Sequence, residues 1–214
     1  MSYMPNLRLL ALLSAVALAL SLLSPVPPAW TQDAPPKAGK RGPPTASLPK
    51  TAAERDRTLG DLYALLATAE DENAAKAIAE GIERIWLHSG SPTVDLLLGR
   101  AMKAVSEKKL DRALKMMDHI VEQAPDFTEG WSRRAYVHFQ RNELAQALGD
   151  LRRALALDPY HFKSLDGLAQ VLREIGQKKA ALQVFQQLYD VHPYWPGAKQ
   201  AVEELSRDVE GQGI

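Results

Sequence analysis

Apolar and small residues recur with a period of 34 along the second half of the chain. A proline closes each period, at Pro125, Pro159 and Pro193. Between the prolines, apolar residues follow the 3.6-residue spacing of amphipathic helices. Each period therefore predicts two helices joined by a turn, with a proline that ends the second helix and redirects the chain.

Small and large residues repeat in register within each period. Antiparallel helices approach closely only where one helix contributes a small residue and the other fills the hollow with a large one. Small residues form two sets, which are Ala101, Ala135, Ala169 and Ala113, Ala147, Ala181. Large residues form one set in the first half of each period, Leu97, Trp131, Leu165, and one in the second half, Met117, Leu151, Phe185. A further set late in each period is Ile120, Ala154, Leu188. Polar turns are expected at 107–109, 141–143 and 176–178.

This spacing and residue set resembles the tetratricopeptide repeat (TPR) across residues 94–195, as repeats 94–127, 128–161 and 162–195. The resemblance implies an all-α fold, a right-handed superhelix of stacked α-helical hairpins. Arg100 and Arg134 depart from the family pattern, because they occupy a position where the family usually has leucine.

The flanking segments complete a predicted TPR domain over 52–209. Residues 52–93 resemble a degenerate hairpin, in which Tyr63 and Trp86 fit the register and Pro92 comes one residue early. Residues 196–209 are amphipathic and are expected to form a C-terminal capping helix, which stacked repeats require. Residues 210–214 are expected to be a tail.

Two segments of the second and third repeats resemble small exported bacterial TPR proteins more specifically. These segments are Trp131 to Ala135 with Asp150, and Pro159 to Phe162 with Leu165 to Leu168. This resemblance implies the fold and the compartment, and it implies no reaction.

Residues 1–31 are predicted to be a signal peptide. One basic side chain, Arg8, precedes an uninterrupted stretch of apolar and small residues at 9–23. A membrane-spanning helix takes about 20 such residues, whereas a signal sequence takes about 7–15. Cleavage is expected after Thr31 or Ala29, with an uncleaved inner-membrane anchor as the alternative. Both alternatives predict a periplasmic or secreted folded domain.

Residues 32–51 are predicted to be a disordered, proline-rich basic spacer. The net charge is +3 over residues 32–58 and −4 over residues 59–214. A slightly acidic body disfavours nucleic-acid binding, which needs a dense basic surface.

The sequence predicts no catalytic residue, no metal site and no cofactor. The chain has no cysteine, and its five histidines lack the spacing of metal ligands. No phosphate-binding glycine loop or nucleophile elbow is present. An enzyme of this fold would need a nucleophile or a set of acids in its groove, and the sequence offers neither.

Arg134 and Asp150 are predicted to face each other across one hairpin. We expect a partly buried ion pair there, joined by His161, that fixes the stacking angle of the repeats.

A partner-binding groove follows from the resemblance, since the first helix of each hairpin lines the concave wall in TPR arrays. The candidate groove residues are Leu98, Met102, Ser132, Arg133, Tyr136, Phe139, Gln140, Lys163, Asp166, Gln170 and Arg173, with Asp95 and Glu129 beside them. An apolar centre between basic residues suits a peptide or helix with apolar anchors and an acidic neighbour. The groove lacks the lysine and asparagine set with which some TPR co-chaperones hold a C-terminal carboxylate. The alternative occupant is the chain's own tail or spacer.

The predicted function is a non-enzymatic scaffold or adaptor in the cell envelope that binds a protein of unknown identity. The alternative is a membrane-tethered accessory subunit of an envelope assembly or export complex, retained by an uncleaved anchor.

Overall fold

The computed structural model describes residues 48–49 and 51–211, which contain nine helices and no strand. The helices are α1 (Ala52–Ala67), α2 (Glu72–Trp86), α3 (Pro92–Ser106), α4 (Leu110–Gln123), α5 (Thr128–Gln140), α6 (Leu144–Leu157), α7 (Phe162–Glu174), α8 (Lys178–Val191) and α9 (Ala198–Gly211). The predicted signal peptide and nearly all of the predicted spacer lie outside the described residues.

Local sequence explains where several helices begin. The side chains of Thr51, Asp71 and Ser91 cap α1, α2 and α3 by accepting a hydrogen bond from a backbone N–H three residues later. Pro92 then occupies the first turn of α3, where a missing N–H removes no helical bond.

The turns inside the regular hairpins repeat with the same period as the helices. Lys108, Asn142 and Gly176 have φ angles of 59°, 60° and 78°. Each residue follows the first helix of its hairpin in the left-handed conformation that ends helices. The three hairpins α3–α4, α5–α6 and α7–α8 are therefore the ones that the 34-residue period predicts.

The repeating alanines lie at the helix contacts. Each of the six is at most 1% exposed, and Met117, Leu151 and Phe185 are buried against them. Gly130 marks an equally close approach between α4 and α5, because a Cβ there would lie 2.9 Å from the Ile120 side chain. The all-α solenoid that the sequence predicts is confirmed.

Successive helices from α3 to α9 each pack on the one before. α9 closes the stack, with Ala198, Ala201 and Leu205 buried in the core that α7 and α8 also form. It extends to Gly211, two residues into the segment predicted to be a tail.

The first hairpin, α1–α2, does not continue the stack as the sequence led us to expect. Its second helix does not pack along α3; instead α1 contacts α8, and both helices share a core with α7, α8 and α9. Aromatic side chains explain the difference. Tyr63 and Trp86 bury their rings against Tyr160, His161 and Phe162, at and beside the turn between α6 and α7.

Candidate functional site

A cavity of about 330 Å³ lies between α5 and α7. Its lining residues are Ser132, Arg133, Ala135, Tyr136, Phe139, Leu151, Lys163, Asp166, Gly167, Gln170, Val171 and Trp195. Rings and aliphatic side chains form much of this wall, and a few polar groups interrupt it, as in many ligand-binding clefts. We call this feature the α5–α7 groove.

The structure brings together the central part of the predicted binding set. Ser132, Arg133, Tyr136 and Phe139 reach the groove from α5, and Lys163, Asp166 and Gln170 reach it from α7. Tyr136 is 49% exposed, whereas most aromatic side chains of the described residues are buried or partly buried. Half a tyrosine ring is thus available for contact with another molecule.

Two residues predicted on α3 do not belong to this groove. Leu98 is only 2% exposed, and it is part of the core between α3 and α4, so its prediction as a binding residue is wrong. Met102 is partly buried and packs against the same core. Asp95 contacts the turn before α3 instead of the groove. Its carboxylate accepts hydrogen bonds from the Ser89 backbone N–H at 2.8 Å and from the Ser89 hydroxyl at 2.6 Å.

Gln140 and Arg173 lie outside the lining of the groove. Gln140 is exposed at the last position of α5. Arg173 donates a hydrogen bond to the Gln170 side chain, and its guanidinium lies 6.0 Å from the Phe185 ring.

The basic groove residues already have carboxylate partners within the chain. Arg133 Nε donates to Glu129 at 2.6 Å, and Lys163 Nζ lies 2.7 Å from the Glu83 carboxylate of α2. A partner's acidic group would therefore have to compete with these contacts. These ion pairs make the net charge of the groove less positive than the sequence suggested.

Asp166 is the acidic group on the wall of the groove. Burial raises the pKa of this carboxyl, while hydrogen bonds from Gln170 and Trp195 and the charge of Arg173 act in the opposite direction. Its partly buried oxygens can accept a hydrogen bond from a bound backbone N–H.

Trp195 is a groove residue that the sequence analysis missed. It stands 34 residues after His161, which itself stands 34 residues after Phe127. All three are ring-bearing residues next to the turns between hairpins. This periodic set was the signal that could have identified Trp195.

The predicted ion pair forms, but with a different histidine. Arg134 donates to both Asp150 oxygens, at 2.8 and 2.7 Å, and to Asp118 of the preceding helix at 3.1 Å. The hydrogen bond to Asp150 raises the pKa of Arg134. His138 lies 3.8 Å from Asp150. His161 pairs elsewhere, so its predicted place in this cluster is wrong.

His161 belongs to a buried seam beneath the first hairpin. Its ring stacks on Trp86 with centroids 3.7 Å apart, and its Nε2 lies 3.1 Å from a Glu129 oxygen. Its Nδ1 accepts from the Ser164 backbone N–H, which leaves Nε2 to carry the proton toward Glu129. We call these groups, with Tyr63 and Asp158, the hairpin seam.

The polar groups of the hairpin seam are paired. Trp86 Nε1 donates to the Tyr63 hydroxyl at 3.0 Å, which in turn donates to Asp158 at 2.5 Å. Burial and the neighbouring Asp158 raise the pKa of Tyr63 well above its ordinary value. Burial would also raise the pKa of Glu129, but the His161 hydrogen bond and the Arg133 charge hold that pKa below its ordinary value. These contacts fasten the hairpin to the stack.

Two features are absent from the described part of the chain. Within it, no group of three or more histidine or acidic side chains is arranged to hold a metal ion. None of its helices combines the length and apolar character needed to cross a membrane. The apolar stretch at 9–23 lies outside the described residues.

Comparison with known proteins places this geometry in a family. A family model described as tetratricopeptide repeat matches residues 128–161. A TPR repeat-containing protein of Rhizobium etli is 30% identical over 180 residues, which cover 78% of this chain and 88% of that protein.

Solved TPR domains share the fold. The Sgt2 TPR domain of Aspergillus fumigatus has a TM-score of 0.53 at 19% identity, covering 57% of this chain and 82% of that domain. The first TPR domain of Spaghetti (RPAP3), bound to the HSP90 peptide SRMEEVD, also has a TM-score of 0.53, at 17% identity, covering 55% of this chain and 93% of that domain.

Proposed function

Because this chain belongs to the tetratricopeptide-repeat family, we propose that it is a non-enzymatic adaptor that binds a segment of another protein in the α5–α7 groove. The observation that carries this proposal is the half-exposed Tyr136 ring on the wall of a 330 Å³ cavity. An aromatic ring that keeps this much surface beside a cavity is typical of contact sites for a partner's apolar side chain.

The partner segment is expected to bring an apolar anchor. Tyr136, Phe139 and Trp195 provide aromatic surface, and Leu151 and Val171 provide aliphatic surface. One leucine-sized or aromatic side chain fits a cavity of this size. The carboxylate of Asp166 then accepts a hydrogen bond from the backbone beside that anchor.

We expect the ligand to differ from the peptide bound by the solved TPR domain of Spaghetti. The first TPR domain of Spaghetti binds the HSP90 peptide SRMEEVD, which is rich in acidic residues. Among the residues that line the α5–α7 groove, lysine occurs once, at Lys163, and asparagine does not occur. The cations of the groove are also engaged with Glu129 and Glu83. These features support an apolar anchor as the main recognition element.

The site of action is proposed to be the cell envelope. Residues 1–31 combine one basic side chain with the apolar stretch at 9–23, which supports export of the folded domain. The second candidate, a membrane-tethered accessory subunit, requires that this stretch stay attached. The intact mass of the protein recovered from its native cells separates the two, since cleavage after Thr31 or Ala29 removes the apolar stretch.

Site-specific photocrosslinking tests the groove. A photoreactive phenylalanine analogue at position 136 should join the chain to one partner, because that ring is exposed on the groove. The same analogue at Ile175, which is exposed outside the groove lining, is the matched control. The crosslink at 136 should disappear when Phe139→Asp is added. A partner that crosslinks equally from 175, or that persists with Phe139→Asp, would place binding on another surface.

A further inference from the structure

The position of the first hairpin leaves one end of the repeat stack without a helix packed on it in the described part of the chain. Because α2 does not pack along α3, the outer side of α3–α4 has no helix stacked on it among the described residues. Leu96 is 57% exposed there. We call this surface the α3–α4 end face; a depression of about 340 Å³ in it is lined by Thr93, Leu96, Leu97, Arg100, His119 and Gln123.

The next repeat shows what such a face looks like when it is covered. Arg134 of α5 stands 34 residues after Arg100 of α3, so the two occupy the same position in their repeats. In the second repeat α4 is stacked on α5, and its Asp118 accepts a hydrogen bond from Arg134 at 3.1 Å. A helix stacked on this position therefore brings a carboxylate to the arginine.

Arg100 lacks both carboxylates that Arg134 has. The residue equivalent to Asp150 is Met116, and the residue equivalent to Asp118 is Arg84. Arg100 is exposed. The end face thus presents the exposed Leu96 and the partly buried Leu97 beside a cation whose counterpart in the next repeat pairs with a stacked helix.

The same face also carries an exposed acid. Glu122 of α4 lies 3.6 Å from His119, which lines the depression together with Arg100. Opposite charges on one face allow that face to pair with a second copy of itself, because the cation of each copy can lie opposite the anion of the other. Two-fold contacts of this kind are the commonest interfaces in homo-oligomers.

We propose that two copies of this chain associate through their α3–α4 end faces. Leu96 and Leu97 of the two copies bury each other, and Arg100 of each copy lies opposite Glu122 of the other. The α5–α7 groove of each copy stays open, so the assembly presents two grooves. This association is independent of what the groove binds.

Sedimentation velocity over a range of concentrations tests the association. The protein is purified as it accumulates in the producing cells, with its intact mass recorded so that all variants are compared in the same processed form. The wild type should convert from monomer to dimer as its concentration rises. Leu96→Glu should raise the dimer dissociation constant about tenfold or more, because it places two carboxylates at the centre of an apolar contact. Ile175→Glu, a matched change of an exposed apolar residue elsewhere, should leave the constant unchanged.

A charge exchange tests the pairing itself. Arg100→Glu and Glu122→Arg should each weaken the dimer, since each places like charges opposite one another. The double variant Arg100→Glu with Glu122→Arg restores opposite charges and should recover the wild-type constant. Circular dichroism confirms that each variant is folded.

Three results would overturn the proposal. The first is a wild type that stays monomeric at every concentration. The second is a dimer that Leu96→Glu leaves unchanged, which would assign the contact to another surface. The third is a double charge variant that stays as weak as the single variants, which would rule out the proposed pairing of Arg100 with Glu122.

Discussion

The α5–α7 groove and the hairpin seam use the same two helices in opposite ways. In the seam, Tyr63, Trp86 and His161 are buried, and their polar groups are paired by hydrogen bonds. The groove, a few residues further along α5 and α7, leaves Tyr136 half exposed. The difference teaches that the first hairpin covers only the ends of these helices near the inter-repeat turns. The α5–α7 groove lies further along the same two helices, where the described residues of the first hairpin do not line it.

The largest expected effect comes from breaking the seam. Trp86→Ala removes a buried ring that stacks on His161 and donates to Tyr63, and it should lower the free energy of unfolding by about 3–5 kcal/mol. Denaturant titration followed by circular dichroism measures the loss. Trp131→Ala, a less buried tryptophan in a regular repeat, is the control and should cost clearly less. Equal losses for the two variants would show that the seam does not fasten the hairpin.

The ion cluster of Arg134, Asp150 and Asp118, in the second repeat and at its contact with the first, offers the next largest effect. Arg134→Leu restores the residue usual in the family but leaves Asp150, which is 7% exposed at its side chain, without its bidentate partner. The free energy of unfolding should fall by about 3 kcal/mol. Adding Asp150→Leu removes the uncompensated carboxylate and should recover part of the loss. A single variant that unfolds at the same denaturant concentration as wild type would contradict a structural role for this pair.

The environment of His192 predicts a pH dependence. Burial lowers the pKa of this histidine from 6.5 to about 4, and its Nδ1 has no hydrogen-bond partner among the described residues. Below pH 6.5 the unfolded chain takes up the proton while the folded chain does not. Stability is therefore complete above pH 6.5, and about 2–3 kcal/mol is lost as the pH falls to 4.

His192→Phe removes the titrating group and keeps a ring beside Phe162 and Trp195. Unfolding titrations at pH 7 and pH 4 should show a smaller loss for this variant than for wild type. His119→Phe, a change at an exposed histidine, should retain the wild-type difference. If all three proteins lose the same stability, His192 does not titrate as its burial indicates.

The smallest effect on stability is expected in the groove. Tyr136→Ala removes an exposed ring, so the free energy of unfolding should change by less than about 0.5 kcal/mol. Binding of the crosslinked partner should nevertheless be lost, because the ring supplies the apolar contact. Titration of the variant with that partner, compared with Gln140→Ala outside the groove lining, measures this. A destabilisation as large as that of Trp86→Ala would make the groove part of the core.

The cavity coincides with the predicted inner wall at several polar and aromatic positions, while their role in binding stays a prediction. Ser132, Tyr136 and Gln170 were assigned to the inner wall by repeat position, and they line the cavity. Leu98 occupies an equivalent position on α3 but is buried. Repeat position gives the direction of a side chain, whereas burial depends on which neighbours pack over it.

Repeat position also does not predict which charged groups of the groove are paired within the chain. Arg133, Lys163 and Glu129 were all visible on the predicted inner wall, and from their positions a basic rim was inferred. In the fold Glu129 is buried between Arg133 and His161, and Glu83 of the first hairpin reaches Lys163. The second contact joins residues 80 positions apart in the chain, and no local pattern specifies it.

The sequence by itself determined the helices, their hairpins and their order, because alanines at 34-residue intervals, capping residues and closing prolines act over a few turns of chain. The tertiary structure decided where the first hairpin packs, which histidine joins which carboxylate, and which end of the stack stays uncovered. Those outcomes depend on competition between distant surfaces for the aromatic side chains of α1 and α2. The surface near the inter-repeat turns buries Tyr63 and Trp86 among other rings, while the α3–α4 end face offers the exposed Leu96 beside an arginine.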